Sequence, residues 1–152
     1  MTERTFEGPY VQVAAICMTP LVEQQGLLSV IRIQDRIQLA GLTEKMQPQP
    51  LNSLWLVVVL KSGELTGKFN LNIVPITPGG HRIPGPSTSV LLEGQERGAV
   101  VATPLMVVAE EEGLYWFEVT LEGTLLTRVP LRVMYQKMNP MPGMPFPPPQ
   151  TD

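Results

Sequence analysis

One cysteine, one histidine and two aspartates are all that this 152-residue chain offers of the side chains that most often build catalytic and metal centres. A lone cysteine cannot close an internal disulfide. A structural zinc needs three or four Cys or His ligands, and the whole chain has two. Calcium loops need acidic or amide oxygens at alternate positions, and no stretch supplies them. Charge is equally scarce: 16% of residues are charged and the net charge is −3, so there is no basic footprint for nucleic acid or anionic lipid. Long hydrophobic runs are missing too. The longest, Leu54 to Leu60, is far short of the ~20 residues a membrane-spanning helix requires. The first nine residues are polar and charged, so no secretory signal is expected and the cytoplasm is the expected compartment.

What the chain does contain is alternation. Lys68-Phe69-Asn70-Leu71-Asn72-Ile73 places apolar residues on one face of an extended strand and polar ones on the other. Tyr115, Phe117, Val119 and Leu121 alternate with Trp116, Glu118 and Thr120 in the same way. Similar runs occupy 10–18, 27–33, 54–60, 89–92, 100–109 and 125–135, separated by Gly- and Pro-bearing turns. Glu122-Gly123 lies between two such runs and predicts a hairpin. Pro130 and Pro104 each place their strand at an edge or a bulge. Seven to nine short strands so arranged predict an all-β, immunoglobulin-like Greek-key β-sandwich. A partly closed barrel is the alternative, and a turn or two of helix is expected only within 40–52. The expected core is Val13, Ile31, Ile33, Leu56, Val58, Phe69, Leu71, Ile73, Tyr115, Phe117, Val119, Leu131 and Val133.

The organisation follows from composition. Residues 1–8 form an N-terminal arm and 9–136 the sandwich. Residues 137–152 form a Pro/Met-rich tail, expected to be disordered or polyproline-II, that holds six of the 16 prolines. Pro142 and Pro145 have PxxP spacing and Phe146 offers an anchor, which makes the tail a candidate recognition element.

The sparse chemistry points away from catalysis. His81 sits in a Gly-rich loop without an aspartate nearby in sequence, and Cys17 lies in an apolar strand that supplies nothing to ionise its thiol. Glu110-Glu111-Glu112 precedes Gly113 and reads as a solvated turn, and no Gly-rich loop spells a phosphate cradle. No enzyme, cofactor or metal is expected, and a small-molecule ligand is not favoured. The strand faces are more informative. If Leu54, Leu56, Val58 and Leu60 face the core, then Trp55, Val57 and Val59 form an apolar row on the outer face, where a two-layer sandwich ordinarily shows polar residues. That row predicts association with a protein partner or a second copy. Trp116, out of phase with its apolar neighbours, is the candidate platform for an alternative, carbohydrate-type ligand. Asp35, flanked by Arg32 and Arg36, is expected to pin a strand end or contact a partner.

Several stretches carry a resemblance: Tyr10-Val11-Gln12-Val13-Ala14-Ala15-Ile16-Cys17, Leu28-Ser29-Val30-Ile31-Arg32-Ile33-Gln34-Asp35-Arg36, and Val59-Leu60-Lys61-Ser62-Gly63-Glu64. Leu92-Glu93-Gly94, Glu112-Gly113-Leu114-Tyr115-Trp116-Phe117 and Arg128-Val129-Pro130-Leu131-Arg132-Val133 continue it. Over about residues 8–136 the chain resembles an uncharacterised family of small bacterial proteins with no assigned activity. The resemblance implies a single β domain and brings no catalytic residues with it.

Overall fold

Alternation becomes strand along nearly the whole chain. The computed structural model describes residues 6–139, and among these there is no helix. The strands are β1 (Tyr10–Val22), β2 (Leu28–Ile33), β3 (Arg36–Gly41), β4 (Gln49–Pro50), β5 (Trp55–Lys61) and β6 (Thr66–Ile76). They continue with β7 (Ser87–Glu93), β8 (Gly98–Pro104), β9 (Val108–Ala109), β10 (Gly113–Leu121) and β11 (Thr124–Lys137). Four form one sheet in the order β2-β1-β5-β8, and five form the other in the order β3-β11-β10-β6-β7. Strands β4 and β9 pair as a short clip. All pairings are antiparallel except β3 with β11.

The inner faces of the two sheets share one core. Ile16, Leu56, Val58 and Leu60 come from the four-stranded sheet; Leu71, Ile73, Tyr115, Phe117, Leu131 and Val133 come from the five-stranded one. The architecture is an all-β sandwich. Its strongest local unit is the β10–β11 hairpin, where Leu121 pairs with Thr124 across a two-residue turn. Both turn residues take left-handed φ, 47° at Glu122 and 82° at Gly123, the twist a tight hairpin requires. The unfavourable conformation at Glu122 is offset by its carboxylate, which accepts from the Asn70 backbone N–H at 2.7 Å and ties the turn to β6.

Four expectations change. No helix forms in 40–52, where Gly41, Pro48 and Pro50 break the segment into β3, turns and the β4 clip. The single run at 100–109 divides into β8 and β9 around Leu105, Met106 and Val107. Val13, Ile31 and Ile33 are not core residues: they are 39%, 44% and 67% exposed. The cause is a bulge in β1 between Val11 and Val13. It inserts one residue and reverses the phase, so that Ala14 and Ile16 turn inward while Val13, Ala15 and Cys17 turn outward. Ile31 and Ile33 follow, because they pair with Thr19 and Cys17 on the same outward face. Finally, Phe69 packs at the core margin, only partly buried.

The prolines behave as their missing N–H demands. Pro104 lies on β8, an edge of its sheet. Pro130 lies on β11, one edge of which stays free of β3 until Arg132.

Candidate functional site

The two outer faces of the sandwich differ sharply. On the five-stranded sheet, Lys68, Asn70 and Asn72 of β6 point away from the core, as do Glu118 and Thr120 of β10. Glu118 is nearly covered, yet its charge is satisfied: Arg82 Nη1 approaches one carboxylate oxygen at 2.7 Å and Arg128 Nε the other at 3.1 Å. A buried carboxylate held by two guanidinium groups is a stable arrangement because both oxygens accept charge-assisted hydrogen bonds. This face has ordinary polarity.

In the rows set by strand pairing, the outer face of the four-stranded sheet carries only Thr19 and Ser29 as polar side chains. Strand register defines its rows, since residues directly opposite each other share a face. One row runs Ile33, Cys17, Trp55 and Pro104 across all four strands. The next runs Ala15, Val57 and Ala102, and a third Val13, Val59 and Val100. Toward the β1–β2 turn the face continues through Thr19 with Ile31 and Leu21 with Ser29. No residue in these rows is charged; the first charge is Lys61, opposite Tyr10 at one end. At the other end Glu23 follows Val22 in the turn.

Relief on this face is set by side-chain size. Ala15 and Val57 in the middle row are 8% and 0% exposed although they belong to the outer face and not to the core. Ala15 and Ala102 are short side chains, so this row offers little surface of its own. Trp55 and Val59 are half-buried, whereas Ile33 and Ile31 stand clear. The expected interface of Trp55, Val57 and Val59 is therefore on the outer face, but Val57 has no surface left to offer. Val13, Ile31 and Ile33, assigned to the core by their alternation, contribute the exposed area instead. The Cys17 thiol is covered in the row between Ile33 and Trp55, and burial raises its pKa, with a backbone N–H of Thr19 acting in the opposite direction. Covered and un-ionised, it is suited to packing.

The other expected site residues are scattered. Trp116 is 37% exposed on the five-stranded sheet, between Ile76 and Pro130. Asp35 is strongly exposed and contacts only its neighbour Arg36, at 3.6 Å. Its side chain does not form the two-bond clamp expected of it; the strand corner is pinned instead by its backbone carbonyl, which accepts from Arg132 N–H at 2.9 Å. Phe146 lies outside the described residues.

One cluster escaped the sequence reading. Lys45, Thr77, His81, Glu110, Glu111 and Tyr115 line an open groove of about 570 Å³ at one end of the sandwich, with Ile83 and Val108 as its apolar walls. The β6 turn delivers His81, whose backbone N–H donates to Thr77 Oγ1 at 3.1 Å. Tyr115 Oη donates to the Glu111 carbonyl at 2.9 Å, and burial holds its pKa above the usual phenol value. No hydrogen bond or ion pair among the described residues joins the imidazole to Glu110 or Glu111.

The N-terminal arm is held by the Glu64 backbone N–H, which donates to the Phe6 carbonyl at 3.0 Å, and by the Glu96 carboxylate. Glu96 accepts from Tyr10 Oη at 2.6 Å and from the Phe6 backbone N–H at 3.0 Å. These two bonds, led by the tyrosine, pull the Glu96 pKa below its usual value. The stabilisation is present above the ordinary glutamate range and is lost as pH falls through the lowered value. Between pH 6 and pH 3 the urea midpoint of the native chain is therefore expected to fall further than that of Glu96→Gln. Equal falls would remove Glu96 as the acid-sensitive clasp.

No protein-family model and no curated protein matches the chain. Solved structures resemble it in fold. An immunoglobulin-like protein from Pseudomonas aeruginosa is 16% identical with a TM-score of 0.42, over 82% of this chain and 95% of that one. A β-glucosidase from Listeria innocua, solved with glucose, is 13% identical with a TM-score of 0.46, over 66% of this chain and 15% of that one. A β-D-glucoside glucohydrolase from Trichoderma reesei is 8% identical with a TM-score of 0.46, over 82% of this chain and 18% of that one. The chain thus spans less than a fifth of either glycosidase. One of these is an immunoglobulin-like protein, and the all-β fold rests on the packed sheets themselves.

Proposed function

We propose that this chain is a non-catalytic assembly module that associates through the outer face of its four-stranded sheet. The observation that supports this reading is the uncharged surface running from Leu21 through Ile31, Ile33 and Trp55 to Val13 and Val59. Isolated apolar residues on a surface need no explanation, but a contiguous uncharged sheet face does. Covering it removes apolar area from water, at roughly 25 cal/mol per Å². The carbohydrate alternative would rest on Trp116 alone, flanked by Ile76 and Pro130 and outside the residues lining the His81 groove.

The test compares two lysines. Ile33 (67% exposed) lies on the proposed face, and Leu91 (54% exposed) lies on β7 of the other sheet. Both positions are open enough that each substitution is expected to change stability by less than about 0.5 kcal/mol. In hydrophobic-interaction chromatography of dilute full-length protein, Ile33→Lys should elute clearly earlier than the native chain and Leu91→Lys nearly with it. Equal shifts would mean that the face is no more adhesive than a scattered surface leucine.

A further inference from the structure

We infer that the occupant of this face is a second copy of the same chain, packed sheet to sheet about a two-fold axis with the two β1 strands running in opposite directions. The inference rests on the association reading above and adds the partner and the geometry.

Exposure supports it first. Ile33, Leu21, Ile31 and Val13 remain 67%, 47%, 44% and 39% exposed on this one face, and a second copy presents the same uncovered side chains. Chemistry supports it next. A face without charge offers nothing to select an acidic or basic partner, whereas a second copy presents the same apolar strip. An interface formed by one patch meeting itself is the commonest form of self-assembly.

The ends of the face set the direction. Lys61 is opposite Tyr10 at the start of β1, and Glu23 follows Val22 at its end. The level of Ile16 and Cys17 is midway between them along β1. A two-fold axis at that level brings Glu23 of each copy over Lys61 of the other, twice per dimer. The parallel alternative would leave the lysines facing each other, and likewise the glutamates. Opposite charges at a rim mainly fix register and orientation, while the apolar strip between them supplies adhesion.

The experiment is sedimentation equilibrium of the full chain from 1 to 200 µM, with light scattering as a second measure of mass. The native protein is expected to move from 16.8 kDa toward twice that mass over this range. Ile33→Lys should weaken the dimer at least tenfold and Leu91→Lys should leave it intact. Glu23→Lys should weaken it, as should Lys61→Glu, and the double variant Glu23→Lys/Lys61→Glu should recover most of the loss at low salt. Circular dichroism melts of each variant show whether a loss of mass reflects unfolding; Leu91→Lys and the charge-swapped double variant keep the test open if Ile33→Lys does not fold. A native chain that stays at 16.8 kDa throughout, while Ile33→Lys still elutes early from the hydrophobic column, overturns the second copy and leaves the association reading intact. A dimer indifferent to Ile33→Lys, or a double variant weaker than either single one, overturns the proposed surface or its antiparallel arrangement.

Discussion

Phe117→Ala is expected to cost about 3–5 kcal/mol, a large share of the 5–15 kcal/mol that holds a domain of this size together. Phe117 is 1% exposed on the inner face of β10, between Val129 on one side and Pro75 on the other. Strand β10 lies at the centre of the five-stranded sheet, so its inward side chains meet Leu56 and Val58 from the opposite layer within one core. Truncation removes the ring from that core and leaves a void that strands fixed by hydrogen bonds on both edges cannot close. Chemical denaturation read by tryptophan fluorescence measures the loss. A change below about 1 kcal/mol would mean that the β10 side chains are assigned to the wrong face.

Gly85→Ala is expected to be nearly as damaging, though the glycine lies in an exposed loop. The segment Pro84-Gly85-Pro86 crosses β6 at close range: Ile73 N–H donates to Pro86 at 3.0 Å and Ile83 N–H to Pro75 at 2.8 Å. A methyl group at position 85 would land on the Ile73 carbonyl oxygen and close to the Pro75 ring. Backbone cannot yield as a side-chain tip can. The loop must lift, adding overpacking strain to the loss of these two hydrogen bonds, together about 3 kcal/mol. Thermal unfolding of Gly85→Ala beside Gly123→Ala separates two effects. At Gly123 nothing blocks a methyl, so only its φ of 82° is strained and the smaller loss is expected there. The reverse order would contradict the close approach at Gly85.

These two positions show how unevenly the fold is written in the sequence. The period-two alternation of 115–121 announces β10 and its core face without any tertiary information, and Phe117 is legible for that reason. Gly85 looks like any turn glycine between prolines, because the clash that makes it necessary comes from Ile73, twelve residues away and on another element. The Glu122-Gly123 turn is legible, and Arg128 opposite Glu118 nearly so; the register shift between Val119 and Thr120 hides the pairing by one residue. Arg82, the second partner of Glu118, has no local signal at all.

The candidate face was legible in part. A run of alternate apolar residues on both sides of β5 marks an outer row at Trp55, Val57 and Val59. Its lateral extent depended on β1, where one inserted residue at the bulge moved Val13, Ile31 and Ile33 from the expected core to the exposed surface. A bulge carries no composition that sets it apart in Val11-Gln12-Val13. Nor could the sequence show that Ala15 and Ala102 flank Val57, since that depends on two pairings at long range. The His81 groove was invisible for the same reason: its lining comes from residues 45, 77–83 and 108–115, far apart along the chain.

Sedimentation equilibrium of the native chain and Ile33→Lys, run side by side at tens of micromolar, bears most directly on the proposal that the four-stranded sheet meets another surface. A native mass approaching twice 16.8 kDa, with Ile33→Lys folded and remaining at 16.8 kDa, is the expected result. Identical masses for the two proteins, together with identical retention on the hydrophobic column, would contradict it.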